Sequence, residues 1–400
     1  MPKIRDPNVL RIYAATLLVG LAYGISISLT AIHLDALGFG KQAIGALAAW
    51  FAGGLIALSI PMGALLRRVS AKHVLAAALC GYAVTISLFP LLESYSALAA
   101  VRLVDGACSV AVWVSCETLL LRRSEPEHKA FTMSLYAVAL ALGYVVGPLL
   151  ARGIVAVAPL STAFTVAGAL AVVAAVYVAL RVERDPALSA REEAAARAAG
   201  SAWALLWKIK NSCFATFAYG YFQAAVVLFL PLYLMEEKSI TRDQTIVIPA
   251  FFAGGMLLFS NVFGRVGDRF GCLPTMRALA AIGTTMILGF VFIDSYALMC
   301  GAVFVAGASL ATISPVSLAL QGLQCSAAEY SRATGIYNTF YAAGILLGPP
   351  FASQLFARAG GQVMLYHLAA LWTAFIAFSI VFARDDPRAR SQLSPSVPSA

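Results

Sequence analysis

Residues 51–54 of the chain read Phe-Ala-Gly-Gly, and the same four residues stand again at 252–255. A second motif, Gly143-x-x-x-Gly147-Pro148, returns as Gly344-x-x-x-Gly348-Pro349. The steps from 51 to 252 and from 143 to 344 are both 201 residues, in a chain of 400. Single residues keep the same offset: Gly63 with Gly264, Arg68 with Arg269, and Tyr136 with Tyr337. Chance matches do not share one offset, so the sequence predicts two related halves.

The composition places these halves in a membrane. Hydrophobic residues make up 61% of the chain and charged residues 12%, whereas soluble domains are roughly 45–50% apolar and about 25% charged. A soluble protein of this size could not bury so much apolar surface, so lipid must be its solvent. The net charge of +9 comes from short basic clusters between apolar runs. Nucleic-acid binding needs a basic patch or stripe, so no nucleic-acid partner is expected.

Apolar runs long enough to cross a bilayer, about 20 residues each, recur along the whole chain. Because backbone N–H and C=O groups find no partners in hydrocarbon, each run must form an α-helix. We therefore predict an all-α integral membrane protein with twelve transmembrane helices in two pseudo-symmetric six-helix bundles. The predicted spans are 10–33, 43–66, 73–92, 98–120, 131–151, 159–180, 210–234, 245–263, 275–293, 297–320, 335–357 and 361–383.

The distribution of Lys and Arg predicts the orientation, since these residues are retained in the cytoplasm. With the N-terminus inside, 22 of the 28 Lys and Arg residues fall on cytoplasmic segments and five on outer segments, and Arg102 lies inside a span. Both termini are therefore expected in the cytoplasm, and the protein in the inner or plasma membrane.

The spans divide the chain into four segments: an N-terminal bundle (1–180), a cytoplasmic linker (181–209), a C-terminal bundle (210–383) and a disordered cytoplasmic tail (384–400). The linker is rich in Ala, Arg and Glu and ends near Trp203 and Trp207, which predicts a helix lying at the membrane interface. Equivalent cytoplasmic loops in both copies require an even number of spans per copy. Such parallel repeats are related by an axis along the membrane normal, and their substrate sites lie near the midplane between the halves.

Three motifs resemble signatures of the major facilitator superfamily. Gly264-Arg-Val-Gly-Asp268-Arg269-Phe-Gly271 is similar to its loop signature, G-x-x-x-D-R-x-G. Leu98-x-x-x-Arg102-x-x-Asp105-Gly106 is similar to its helix-4 signature, and Gly143-x-x-x-Gly147-Pro148 to its helix-5 antiporter signature. The resemblance covers essentially the whole chain. It implies a twelve-helix transporter similar to the drug/proton antiporter branch, with alternating access by rocking of the halves, usually coupled to protons.

The gating loops and the Gly-Pro elements follow from this resemblance. In the first-half loop, arginine stands where the family has the aspartate that makes a cytoplasmic lock. The predicted gating residues are Gly63, Arg67, Arg68, Gly264, Asp268, Arg269 and Gly271. The Gly-Pro elements are predicted to bend two helices and to let neighbouring helices approach closely, since small residues favour packing in lipid. The residues of these bends are Gly143, Gly147, Pro148, Gly344, Gly348 and Pro349.

The fourth span carries three charged residues, Arg102, Asp105 and Glu117. A charge inside a span costs roughly 2.5–3.5 kcal/mol on insertion scales and tends to be functional. Arg102 and Asp105, three residues apart, can pair on the helix surface. We hypothesise that Asp105 takes and releases the coupled proton while Arg102 keeps it ionised in one state; the alternative is a permanent structural salt bridge. Glu117 is predicted either to form a lock with Arg67 or Arg68, or to contact the substrate or proton directly.

A group of aromatic and polar residues is predicted to line the substrate cavity. Any one aromatic residue is more readily explained by packing, but the group as a whole fits a cavity lining. Tyr136 and Tyr337, which are equivalent in the repeat, are expected to flank the cavity symmetrically. The members are Tyr23, Ser26, Trp50, Trp113, Tyr136, Tyr219, Gln223, Tyr337, Asn338 and Tyr341.

These features predict a proton-coupled exporter of a small organic molecule, amphipathic or drug-like, that acts as a monomer without a cofactor. The closest alternative is an uptake symporter or facilitator for a metabolite. A remote alternative is an integral membrane enzyme, and a non-transporting sensor is equally remote. The four histidines are far apart and the chain has no H-x-x-x-H, G-x-S-x-G or C-x-x-C motif, so neither an enzyme nor a metal site is expected.

Overall fold

The computed structural model describes residues 6–184 and 201–387. Twelve helical segments in these ranges are long and apolar enough to cross a membrane, as the sequence predicts. The N-half consists of α1 (Pro7–Ala36), α2 (Lys41–Leu65), α3 (Ala71–Leu88), α4 (Tyr95–Arg123), α5 (Lys129–Val155) and α6 (Leu160–Arg181). After a short helix α7 (Ala202–Lys208), the C-half consists of α8 (Lys210–Glu236), α9 (Arg242–Phe270), α10 (Cys272–Phe290), α11 (Tyr296–Ala306), α12 (Thr312–Gln324), α13 (Tyr330–Ala359) and α14 (Gly361–Val381). A π-helical turn, Gly307–Ala311, joins α11 to α12 within one span.

The helix boundaries repeat with the offset seen in the sequence. The helices α2 to α6 begin at residues 41, 71, 95, 129 and 160, and their counterparts begin at 242, 272, 296, 330 and 361. Each pair is separated by the same 201 residues. The two halves are therefore structurally equivalent, helix by helix, although most of their side chains differ.

Polar contacts join the first and last helices of each half at one membrane side. Arg11 of α1 pairs with Glu183, just after α6, at 2.9 Å. In the C-half, Lys210 of α8 pairs with Asp385, just after α14, at 2.5 Å. Both ends of the described chain thus lie on the same side, which we call the terminal face; the opposite side is the far face. The residues 384–387 belong to this contact region, and 388–400 lie outside the described residues.

The linker between the halves is described only at its ends. Helix α7 carries Trp203 and Trp207, which are 69% and 53% exposed, and the Ala- and Glu-rich part of the predicted interfacial helix lies outside the described residues. Lys208 of α7 donates to Glu329, between α12 and α13, at 2.8 Å. Burial opposes ionisation of Glu329, but the hydrogen bonds from Lys208 and Ser326 outweigh it, and the pKa of Glu329 is lowered.

The glycines of the Gly-Pro elements allow close helix contacts within each half. A Cβ atom on Gly143 or Gly147 of α5 would overlap the backbone of α1 at Gly20 or Gly24. In the C-half, a Cβ atom on Gly344 or Gly348 of α13 would overlap the backbone of α8 between Phe217 and Tyr221. Pro148, Pro349 and Pro350 lie inside their helices. Small residues at these positions bring the helix backbones together, as is usual in lipid.

We predict that Gly143→Ala destabilises the protein, because the added methyl group meets the α1 backbone, which cannot move aside as a side chain can. Overpacking of this kind costs about 1–3 kcal/mol, which lowers the apparent melting temperature of the detergent-purified protein. The matched control is Gly153→Ala in the same helix, where a Cβ atom meets no atom within 4 Å and alanine favours the helix. Equal melting temperatures for the two variants would contradict the packing argument.

The halves are closed against each other at the terminal face. Ser331 Oγ of α13 donates to the Gly63 carbonyl of α2 at 3.1 Å, in the last turn of α2. Within the described residues, the hydrogen bonds and ring contacts between the halves lie between this level and mid-membrane. The least buried spans are those of α2, α5, α9 and α13, which meet between the halves. A cavity between the halves is therefore closed at the terminal face and reached from the far face.

Candidate functional site

An ion pair on α4 forms the first part of the candidate site. Arg102 Nη1 donates to Asp105 Oδ2 at 2.5 Å, and the side chains are 15% and 5% exposed. Ser109 Oγ lies 3.4 Å from Asp105 Oδ1. The Arg102 guanidinium stacks over the Phe51 ring of α2 at 4.4 Å. The pairing predicted from the three-residue spacing is therefore present, and the buried carboxylate is compensated by a cation and a hydroxyl group.

This ion pair occurs in one half only. The equivalent positions of the C-half hold Val303 and Ala306, which are 7% and 9% exposed. Leu318, 3% exposed, stands where the N-half has Glu117. Since the same helix packs with apolar residues in the second copy, the fold does not need these three charges.

Aromatic rings connect the two halves at mid-membrane. Trp113 of α4 contacts Tyr341 of α13, with ring centroids 6.1 Å apart. On the N-half side, Trp113 also contacts Tyr23 at 6.4 Å. On the C-half side, Tyr341 stacks on Tyr219 at 6.1 Å and donates to Gln223 at 2.9 Å. Five residues predicted from the sequence thus form one continuous row across the cavity.

A buried hydrogen bond joins the halves on the terminal side of this row. Asn338 Nδ2 of α13 donates to Glu117 Oε2 of α4 at 2.7 Å, and both residues are almost fully buried. One turn further toward the terminal face, the hydroxyl groups of Thr118 and Thr334 lie 3.2 Å apart. Tyr136 and Tyr337 both lie close enough to Glu117 to interact with it electrostatically. The two equivalent tyrosines therefore lie near one carboxyl group.

Other predicted residues lie outside the aromatic row and the hydrogen bond between Glu117 and Asn338. The predicted lock between Glu117 and Arg67 or Arg68 is not formed in this conformation: both arginines are exposed beyond the end of α2, and Glu117 bonds Asn338 instead. Trp50 is 46% exposed, and the described ring contacts do not join it to the aromatic row. Ser26 lies beside the row: its hydroxyl oxygen is 2.9 Å from that of Tyr82, whose ring packs against Tyr23.

The second gating loop contacts the opposite half through Asp268. Its two carboxylate oxygens accept the backbone N–H groups of Ala130 and Phe131 at 2.9 and 2.8 Å. These N–H groups lie in the first turn of α5, where they have no partner within the helix and where the helix dipole favours a negative charge. The loop thus binds the N-terminus of a helix in the other half.

The glycines of the gating loops fit this interface. Gly264 faces Ser134 of α5, and Gly63 faces the backbone of Ser331 and Arg332. Gly271 has φ +101°, a conformation that favours glycine, and lets α9 end and α10 begin without an intervening loop. The Arg269 guanidinium lies 5.2 Å from the centre of the Phe270 ring.

Several residues of the site were not predicted from the sequence. Tyr82 of α3 packs against Tyr23, with ring centroids 4.6 Å apart, and Tyr144 of α5 stacks near the same ring at 6.3 Å. At the terminal face, Lys129 Nζ donates to the Tyr330 hydroxyl at 3.1 Å. Lys129 and Tyr330 are the first residues of equivalent helices, so the contact lies on the pseudo-twofold axis. The common offset could have identified this last pair; no comparable signal exists for the two tyrosines.

Two six-span bundles around an aromatic and polar cavity, closed at one membrane face, define a membrane transporter. The chain belongs to the Major Facilitator Superfamily, whose family model matches residues 12–211 and 212–398. It is 23% identical over 294 residues to the uncharacterized MFS-type transporter YcaD of Escherichia coli (strain K12 / DH10B), with 72% of each chain covered. The predicted family and the predicted twelve-helix fold are confirmed.

Solved transporter structures share this fold at low sequence identity. The human organic anion transporter MFSD10 (TETRAN) superposes with a TM-score of 0.76 at 16% identity, covering 94% of this chain and 99% of that chain. A bacterial homologue of the iron transporter ferroportin, in an outward-facing state, gives 0.77 at 14% identity with the same coverage. FucP in the outward conformation gives 0.73 at 16% identity, covering 93% and 99%.

Proposed function

We propose that the protein is a proton-coupled exporter that moves a small organic molecule by alternating access of its two halves. The observation that carries this proposal is the buried ion pair Arg102–Asp105, present in one half and replaced by apolar residues in the other. A carboxylate that loses its cationic neighbour in a buried site binds a proton more readily. Separation of the pair during the transport cycle would therefore couple proton uptake to a change of state.

The cavity favours an amphipathic substrate that is neutral or cationic. Its central row consists of Tyr, Trp and Gln side chains, which offer ring faces and a few hydrogen-bonding groups. Arg102 is neutralised by Asp105, whereas the charged form of Glu117 has an amide as its described partner. An organic cation stacked on Trp113 and Tyr341 would gain cation–π attraction from the rings and Coulomb attraction from Glu117.

Terminal-face basic residues support the proposed orientation. The segments at this face hold most of the Lys and Arg residues, which supports a cytoplasmic location of this face in a protein of the inner or plasma membrane. The closed terminal face then makes this conformation outward-facing. A substrate that leaves through the far face would leave the cell. The Gly-Pro elements, through their resemblance to the antiporter signature, favour the same direction.

Transport assays in membrane vesicles of both orientations test the direction and the coupling ion. With respiration acidifying the lumen of everted vesicles, we expect accumulation of at least one cation from a panel that includes ethidium and tetraphenylphosphonium. Accumulation should disappear when a protonophore collapses the gradient, and should be absent from vesicles without the protein. Uptake into right-side-out vesicles driven by an inward proton gradient would instead support the symporter. Cation flux that is unchanged by the protonophore would overturn proton coupling.

A further inference from the structure

The carboxyl group of Asp105 is buried between α4, α1 and α3. Its Oδ2 accepts from Arg102 and its Oδ1 from Ser109, and the Asp105 side chain is 5% exposed. Tyr82 of α3 and Tyr23 of α1 lie close enough to Asp105 to interact with it electrostatically. Two tyrosine hydroxyl groups therefore lie near the carboxyl group that carries the proton in the proposed function.

The titratable groups that face Asp105 come from three helices. They are Arg102 and Cys108 on α4, Tyr23 on α1 and Tyr82 on α3. Helix α2 packs against this part of α4 through Phe51, Gly54 and Leu55, which do not titrate. Tyr144 of α5 lies behind Tyr23, on whose ring it stacks. When Arg102 moves away, the tyrosine hydroxyl groups are therefore available as partners for the carboxyl group.

The hydrogen bonds around Tyr82 make its oxygen an acceptor. Ser26 Oγ donates to the Tyr23 carbonyl at 3.1 Å and lies 2.9 Å from the Tyr82 hydroxyl oxygen. Because a serine hydroxyl group has one proton, and that proton is used on the carbonyl, the Tyr82 hydroxyl group donates to Ser26. The Tyr82 oxygen then offers only lone pairs to a further partner. An ionised carboxylate cannot bond such an oxygen, whereas a protonated carboxyl group can donate to it.

The hydroxyl group of Tyr23 has a donor to spare. It is buried, and in residues 6–184 and 201–387 no group lies in hydrogen-bonding geometry with it. Ser109 lies near it, but the Ser109 hydroxyl group donates to Asp105 Oδ1. An unpartnered buried hydroxyl group is unfavourable. The Tyr23 O–H is therefore free to donate to the Asp105 carboxyl group in another state of the transporter.

The C-half shows that packing does not require these hydroxyl groups. The positions equivalent to Tyr23, Ser26, Tyr82 and Ser109 hold Ala224, Val227, Gly283 and Leu310. A Cβ atom on Gly283 would overlap the Leu310 side chain, so leucine occupies the space beside this glycine. Ser309, next to Leu310, donates to its own helix backbone at Val305. At these four positions, the half that lacks the ion pair also lacks the hydroxyl groups, which points to a role tied to the carboxylate.

We propose that Tyr82 and Tyr23 are positioning residues that hold the protonated carboxyl group of Asp105 inside the N-half while the halves rock. The ionised carboxylate bonds Arg102, as in this structure, and the protonated carboxyl group bonds the two tyrosines instead. The inference rests on the proposed proton coupling and names the residues that keep the proton in place. Because Asp105 carries the proton with the N-half, no continuous proton path through the protein is needed.

The step moves one proton and breaks one ion pair. With the far face open, water in the cavity gives a proton to Asp105 Oδ2, which loses its bond to Arg102. The new O–H donates to the Tyr82 oxygen, and Tyr23 donates to Oδ1. Arg102 keeps its charge and its contact with the Phe51 ring. With the terminal face open, the proton returns to water on that side, and the carboxylate pairs with Arg102 again.

Infrared difference spectroscopy of the purified protein tests the bond between Asp105 and Tyr82. The C=O band of protonated Asp105 is the pH-dependent band that Asp105→Asn removes. In Tyr82→Phe we expect this band at higher frequency, because the carboxyl group has lost a hydrogen-bond acceptor. Its titration midpoint should lie about 0.5–1 pH unit lower, since the substitution weakens only the protonated form and a lower pH is needed to populate it.

Two further tyrosine variants separate this role from packing. Tyr13→Phe, on the same helix as Tyr23, removes a hydroxyl group that bonds the Thr132 carbonyl at 2.9 Å, and it should leave the band and its midpoint unchanged. Tyr23→Phe has no hydrogen bond to lose in this conformation, so it should keep the wild-type melting temperature and still lower the midpoint.

The outcomes distinguish this inference from the proposed function. If the band titrates in the wild type and neither Tyr82→Phe nor Tyr23→Phe moves its frequency or midpoint, the positioning role is overturned and proton coupling through Asp105 stands. If Asp105→Asn removes no pH-dependent band over the pH range in which the protein stays folded, Asp105 takes up no proton, and the proposed function is overturned as well.

Discussion

Replacing the ion pair of α4 by the residues of the C-half, Arg102→Val with Asp105→Ala, abolishes proton-coupled transport and leaves the protein folded. Loss of a positioned proton-transfer group lowers rates by about 10²-fold or more, so we expect proton-driven flux to fall at least about 100-fold. The double variant copies the arrangement that Val303 and Ala306 already have in the same fold. A buried ion pair can be replaced by apolar residues at little cost.

The single variant Asp105→Ala separates the functional role from the structural one. It leaves Arg102, whose side chain is 15% exposed, as a buried cation without its carboxylate, which costs about 3–5 kcal/mol. The single variant should therefore lose both flux and thermal stability, whereas the double variant should lose flux alone. The measurements are proton-driven cation flux in proteoliposomes and the apparent melting temperature. Full coupled flux in the double variant would show that the pair only stabilises packing.

The fold could be predicted from the sequence because few kinds of backbone structure can cross a lipid bilayer. Apolar runs of membrane-spanning length must be helices, and the fixed offset of 201 residues between Phe51 and Phe252 required two equivalent halves. The Arg102–Asp105 pair was predictable for a similar reason, since residues three apart on a helix lie side by side. Helix geometry and the lipid surroundings are therefore sufficient to predict the twelve-helix fold and the Arg102–Asp105 pair.

Contacts between the halves could not be predicted in the same way. Asn338 binds Glu117 across 221 positions of the chain, and the bond depends on how the two bundles are docked. Helix periodicity places each residue on a face but does not specify the face that it meets in the other bundle. For the same reason, the sequence left two roles open for Glu117, a lock with Arg67 or Arg68 and a direct contact with substrate or proton, and it did not predict Asn338 as the partner. Both arginines are exposed beyond the last turn of α2.

Asp268→Ala should shift the protein from the conformation closed at the terminal face toward one that is open there. The carboxylate accepts two backbone N–H groups from the first turn of α5, across the boundary between the halves. Hydrogen bonds to a charged group contribute about 1.5–3 kcal/mol, and because these two bonds join the halves at the terminal face, we expect them to break when that face opens. A loss of about 2–3 kcal/mol changes the ratio of closed to open states by about 30- to 150-fold, since 1.4 kcal/mol is tenfold.

The repeat supplies the control for this prediction, because Arg67 holds the position equivalent to Asp268 in the first half. Arg67 is exposed, so Arg67→Ala should leave the ratio unchanged. Spin labels at His73→Cys and Pro274→Cys, exposed and equivalent positions at the terminal face, report the distance between the halves in a background without the native cysteines. Asp268→Ala should populate a longer distance that Arg67→Ala does not. If both variants keep the wild-type distance distribution, the closed state is held by the apolar and glycine contacts of α2, α5, α9 and α13, and the Asp268 bond contributes little to it.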